Sequence, residues 1–197
     1  MGNIIEDGGG DGYKANVSSD HRLLTRAVTE TEEIDANERG DAYNVNTGTV
    51  TLTDDVDTPV FYIKNNEEKE LVIVTLIFGF GSSTGGTTTE MIEITIIRNP
   101  TGGTIVSGAT NVDISSNRNY GSSNTMDALA YKGATGLTLT GGEDHIFAYA
   151  SPKGRTVLAI NENIPKGSSM GIKIKPQSSN TSMPIYVAAV SYLHEDE

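Results

Sequence analysis

Residues 71–98 read LVIVTLIFGFGSSTGGTTTEMIEITIIR, and this stretch decides the fold. It holds two runs dense in Val, Ile and Thr, whose branched β-carbons suit extended backbone better than helix. Between them lies a glycine-, serine- and threonine-rich turn. In residues 90–98, Ile92, Ile94 and Ile96 share one face while Glu93 and Thr95 interrupt the other, the two-residue period of a strand with one wet side. Residues 71–78 show no such alternation and so predict a central strand covered on both faces. Another subunit is one source of that second cover.

Outward from this pair the same pattern continues. Toward the N-terminus, TVTLT (49–53) and VFYIKN (60–65) read as strands; toward the C-terminus follow TIVS (104–107), VDIS (112–115), LTLT (137–140), HIFAYA (145–150), TVLAIN (156–161), MGIKIK (170–175) and PIYVAAVSYL (184–193), with SNRNYGSSN as a polar loop. In MGIKIK, Met170, Ile172 and Ile174 alternate with Gly171, Lys173 and Lys175. One strand per 10 to 15 residues, 22 glycines, no Trp and no long helical period predict an all-β, antiparallel β-sandwich. Residues 46–197 form that domain in this reading, and residues 1–45 an extended polar arm. The arm's best helix candidate is RAVTETEEIDANERG, with Thr29 or Thr31 as caps, though with so few apolar residues the segment reads equally as extended.

Composition excludes several functions. A formal net charge of −12 in 197 residues opposes a nucleic-acid groove, which needs clustered Lys and Arg. With no Cys there is no disulfide, thiolate metal site or cysteine nucleophile. The start MGNIIEDGGG has neither the basic nor the apolar region of a secretory leader. The longest apolar run, residues 71–80, is about half the ~20 residues of a membrane-spanning helix. A soluble chain with no membrane or nucleic-acid partner is expected.

Catalytic motifs are sparse. GSSTG (81–85) matches G-x-S-x-G with Ser83 at the nucleophile position, but the motif requires a strand turning into a helix, and here TTTEMIEIT reads as another strand, so the segment is expected to be a hairpin loop. Its glycines Gly79, Gly81 and Gly85 miss the dinucleotide-binding spacing. His21, His145 and His194 form no ligand pair by spacing. Glu143, Asp144 and His145 read as a polar turn entering a strand, and Asp54, Asp55 and Asp57 as an acidic turn before Pro59 rather than a calcium loop. Asn16 and Asn180 open glycosylation-type triplets and mark polar loops. No catalytic residue, cofactor site or metal site is expected, and the chain reads as non-enzymatic.

Residues 20–73 carry a resemblance. RLLTRAVTETE (22–32), GDAYNVNTG (40–48) and TPVFYIKN (58–65) after a glycine-rich leader look like the beginning of small virion structural proteins of tailed bacteriophages. The resemblance implies a jelly-roll or related sandwich located on the virion, assembled in the host cytoplasm as a homo-oligomer, a trimer. It further implies a capsid decoration or minor capsid protein bound to the major capsid protein or other virion proteins. The polar arm, too poor in apolar residues to fold alone, would then order on a neighbour through charges such as Arg22, Arg26, Glu30, Glu32, Glu33 and Arg39. On this reading, removal of residues 1–45 leaves the sandwich folded. The alternative is a tail or fibre module binding host glycans with Tyr120, Tyr131 and Tyr149.

Overall fold

The computed structural model describes residues 16–17, 23–24, 31–53, 55–84, 91–114, 116–177 and 182–194. The chain divides into Met1–Thr31 and Glu32–Glu197. In the first unit a short antiparallel pair joins β1 (Asn16–Val17) to β2 (Leu23–Leu24). The second unit holds α1 (Glu32–Arg39), β3 (Ala42–Leu52), β4 (Thr58–Asn65), β5 (Glu70–Phe80), β6 (Ile92–Arg98), α2 (Thr104–Gly108), β7 (Thr110–Asn111), β8 (Ala128–Lys132), β9 (Glu143–Ala150), β10 (Gly154–Ile164), β11 (Ser169–Pro176) and β12 (Met183–His194). The compact unit thus begins at Glu32, ahead of the expected start at residue 46.

The expected all-β sandwich is the observed architecture. One sheet has the order β10-β5-β12-β3 and the other β7-β8-β4-β11-β6-β9, with antiparallel neighbours throughout. Among the eight long strands, leaving aside β7 and β8, the chain changes sheet at every step except from β6 to β9. Orders 10-5-12-3 and 4-11-6-9 are those of a jelly roll, two interlocked Greek keys. Because β5 and β6 lie in different sheets, residues 81–84 lead out of β5 into a connection between layers rather than into the expected hairpin; Gly85, the last residue of GSSTG, and residues 86–90 lie outside the described ones.

The inner faces meet in one core, with Tyr43, Val45, Val50, Leu52, Leu71, Ile73, Leu76 and Phe78 facing Phe61, Ile63, Ile92, Ile94, Ile96, Met170, Ile172 and Ile174. Burying each such large side chain contributes about 1.5–3 kcal/mol before conformational entropy is set against it. Each outer face is partly roofed. Ala36 of α1 packs with Ala42, Val72 and Tyr192 on the four-stranded sheet, which supplies, at one end of β5, the second cover its sequence requires. Ile105 of α2 and Leu139 pack on Tyr62 and Ile97 of the other sheet.

That second roof accounts for two differences from expectation. TIVS forms the helical turn α2 because Ile105, at 0% exposure, is worth more as a plug on the sheet than as a strand residue. LTLT joins no ladder beyond a single bridge at Thr140; Leu137 and Leu139 point inward onto the same roof. Of VDIS, Val112 still donates its N–H to the Ala130 carbonyl at 3.0 Å, after which the chain leaves β8. Its last residue, Ser115, is not among the described ones. The strand β8, ALAYK, was not expected from sequence.

Candidate functional site

The residues singled out in the sequence are dispersed over the fold. Gly154 stands opposite Phe80, close to Ser83, whereas Glu162, which bonds His145, stands opposite Ile73. The run of β5 from Phe80 to Ile73 spans roughly 23 Å at about 3.3 Å per residue. Ser83 and His145 therefore sit at opposite ends of the sandwich and form no nucleophile–base pair. His194 Nδ1 lies 3.1 Å from Glu32 of α1. His21, Arg22, Arg26, Glu30, Asp54 and Asn180 lie outside the described residues. Asp55 and Asp57 pair with Lys175 (3.4 Å) and Lys173 (3.9 Å) on β11. Among the described residues no three His, Asp or Glu side chains are grouped to hold a metal ion.

The tyrosines of the glycan reading are equally scattered. Tyr131 on β8 stacks on Tyr62 with ring centroids 6.0 Å apart. Tyr149 is on β9, at the other end of the six-stranded order. Tyr120 is fully exposed, in a loop whose Arg118 and Asn119 bond Glu33 and Glu38 of α1.

What the fold does bring together is an open flank. β9 ends one sheet and β10 ends the other, and the three-residue link 151–153 sets them side by side. The His145 Nε2 to Glu162 Oε1 contact, 3.0 Å, ties the two edges at one end. Below it Arg98, Asn99, Ser168 and Ser169 line a cavity of ≈ 60 Å³. That is room for a few waters and not for a sugar ring.

Along this flank the residues turned toward the core, Ile146, Ala148, Leu158 and Ile160, are only partly buried, and those turned outward stand in solvent: Phe147 is 59% exposed, Tyr149 61% and Val157 50%. No described strand lies beyond either edge. Free N–H and C=O groups on a flat apolar edge are a template for pairing with another chain, which is why natural sheets usually place charges there. Here the run Ile146–Ala150 is uncharged. Glu143 and Asp144 precede it, Lys153 and Arg155 follow it, and none of the four makes an ion pair with a described residue. Sequence reading passed over Phe147. The signal was available in HIFAYA, apolar on both parities like 71–78, but in an edge strand such a pattern means exposure.

A second, polar recess of ≈ 490 Å³ lies where Asp41, Glu67, Lys69 and Asn124 surround Tyr43. Lys69 Nζ bonds Asp41 at 3.0 Å. Burial, reinforced by the carboxylates of Asp41 and Glu67, pushes the Tyr43 phenol up to about 12. Tyr192 is pushed up to about 12 by burial and by donating its hydroxyl to Glu32 Oε2 at 3.0 Å. Phenols held protonated to such pH act as structural hydrogen-bond donors and packing groups, not as acids or bases near neutrality.

No protein-family model matches the chain, and no curated protein matches it. Among solved structures it is similar to a Yersinia pseudotuberculosis-derived mitogen, YPM, with 13% identity over 79% of this chain and 90% of that one and a TM-score of 0.33. At that score the likeness supports no inference about activity or partners.

Proposed function

We propose that this chain is a non-enzymatic structural protein of a bacteriophage virion, a decoration or minor capsid protein that attaches to the head and works as a homo-oligomer. The observation that carries the reading is the jelly-roll strand order, an architecture that recurs in viral capsid proteins. Jelly rolls also serve lectins and cupins, so the site and not the fold has to choose between them. Among the described residues, Phe147 and Tyr149 stand exposed together on a sheet edge, a surface suited to protein contact, and the resemblance of residues 20–73 to phage virion proteins points the same way. The test is the copy number of the chain in purified particles by quantitative mass spectrometry. A number comparable with that of the major capsid protein is expected; absence from particles overturns the reading.

The alternative, a tail or fibre module for host glycans, has one observation in its favour: Phe147 and Tyr149 are exposed side by side on β9, and sugars stack on such rings. It predicts glycan-array binding that Tyr149→Ala abolishes and a copy number far below that of the capsid protein.

A further inference from the structure

We propose that the free edge of β9 is the contact between two copies of this chain, paired antiparallel about a two-fold axis at Ala148, so that the six-stranded sheet continues across both subunits. Three properties of the strand select a second copy as the occupant.

The first is the residue pairing. Centred on Ala148, each Phe147 lies opposite the second copy's Tyr149, both on the outer face where they are 59% and 61% exposed. Aromatic cross-strand pairs are among the more favourable neighbours in antiparallel sheets. Ala148 meets its own counterpart, and a methyl group admits close approach on the axis. Ile146 meets Ala150, extending the partly open core across the junction. The second is charge. The antiparallel arrangement brings Glu143, at the start of the strand, toward the second copy's link 151–153, which carries Lys153, twice per dimer. Asp144 and Arg155 reinforce each end with the same signs. All four groups are exposed and free of ion pairs with described residues, and a strand with acidic residues at its start and basic ones just past its end, in the link and on β10, is complementary to itself only when antiparallel. A parallel copy would place like charges together. The third is the backbone. No described strand occupies the far side of β9, which pairs with β6 alone, and a second copy supplies the missing ladder.

An isologous contact of this kind closes on itself and gives a dimer rather than a fibre. The pairing is a property of the chain alone and stands or falls apart from any place on a virion.

The experiment is analytical ultracentrifugation of the purified full chain at concentrations up to ~100 µM, a range covering weak edge contacts, with circular dichroism and thermal melting as controls for folding. A reversible two-copy species is expected. Phe147→Lys combined with Tyr149→Lys should give single copies with an unchanged β spectrum. Glu143→Lys alone and Lys153→Glu alone should each raise the dissociation constant by about tenfold or more, the scale of a modest charge pair lost twice per dimer. Glu143→Lys with Lys153→Glu restores association, since opposite charges again lie near each other; failure of that rescue overturns the antiparallel orientation. Single copies throughout the concentration range, a three-copy species, or a dimer indifferent to the Phe147 and Tyr149 changes overturn the pairing itself.

Discussion

Asn65 is 0% exposed, yet each part of its amide has a partner. Its Nδ2 donates to the carbonyls of Lys69 (2.9 Å) and Ile164 (2.8 Å), and its Oδ1 accepts the Glu67 N–H at 2.9 Å. The backbone joins in, its N–H donating to Ser168 and its carbonyl accepting from Gly167. One residue therefore fastens the β4–β5 turn to the β10–β11 turn, two places where the chain passes between sheets. Asn65→Ala leaves buried groups without partners at about 1–3 kcal/mol each where water cannot reach them. A loss of about 3 kcal/mol is expected in urea unfolding, with the m-value unchanged. In sequence this asparagine was simply the end of VFYIKN; nothing local distinguishes a stitched buried amide from a solvated one.

Tyr192 and Tyr43 set an alkaline limit at the same scale. An unfolded tyrosine loses its proton near 10, whereas the folded ones hold it to about 12. Between those values the unfolded state binds fewer protons, so stability is intact below pH 10 and falls as pH rises through 12. Tyr192→Phe removes one of the two contributions, together with the bond to Glu32. The plot of unfolding free energy against pH should then be shallower above pH 10 for that variant than for the parent chain; an identical slope would show that the phenol is not held protonated by the fold.

At the scale of the element, β3 shows why a strand was read short. Tyr43 and Val45 face the core, as do Val50 and Leu52, but odd and even positions exchange roles between them. Ala188 faces Asn46 and Tyr186 faces Thr49, so Thr47 and Gly48 together oppose Val187 in a β-bulge. Thr47 Oγ1 stands in for the broken ladder, accepting the Val187 N–H at 3.0 Å and lying 3.2 Å from the Val187 carbonyl oxygen. Gly48 takes φ +65, with nothing within 4 Å of where a β-carbon would sit. A period-two reading stops at such a shift of phase, which is why TVTLT was legible and AYNV was left in the arm. MGIKIK was plain because its own alternation holds from Met170 to Lys175, although its ladder with β4 shifts register after Ile172. Strand order was not, since pairs such as Met183 with Leu52 leave no local trace. Gly48→Ala costs about 1–2 kcal/mol from the left-handed backbone alone, and Gly48→Asn less. Thr47→Val strips Val187 of its partner and should destabilise by about 2 kcal/mol. Thermal melts that fail to rank Gly48→Asn above Gly48→Ala in stability would contradict the backbone argument.

For the whole molecule, the boundary of the folded unit changes what a truncation means. Sequence composition made residues 1–45 one polar arm, because α1 carries few apolar residues and shows only Ala36 to the core. That single alanine is 0% exposed and sits on Val72 and Tyr192. Around it Glu33 pairs with Arg118, Glu32 bonds Tyr192 and His194, and Gly40, at φ +80, ends the helix as Asp41 donates its N–H to the Ala36 carbonyl at 2.7 Å. A polar segment was thus made part of the fold by hydrogen bonds and one small contact, none of which hydropathy registers. Removing residues 1–31 spares all of this and should leave the melting temperature within a few degrees of the full chain. Removing residues 1–45 takes away α1 and also Tyr43 and Val45, buried to 1% and 0%. Loss of one buried aromatic side chain alone costs about 3–5 kcal/mol, a large share of the ~5–15 kcal/mol that holds a typical domain together. The shorter product should be largely unfolded or aggregated at 37 °C. Attachment to particles can accordingly be assigned to the N-terminal segment only with the 1–31 deletion: lost binding by that folded product places the contact in the segment, whereas retained binding places it on the sandwich.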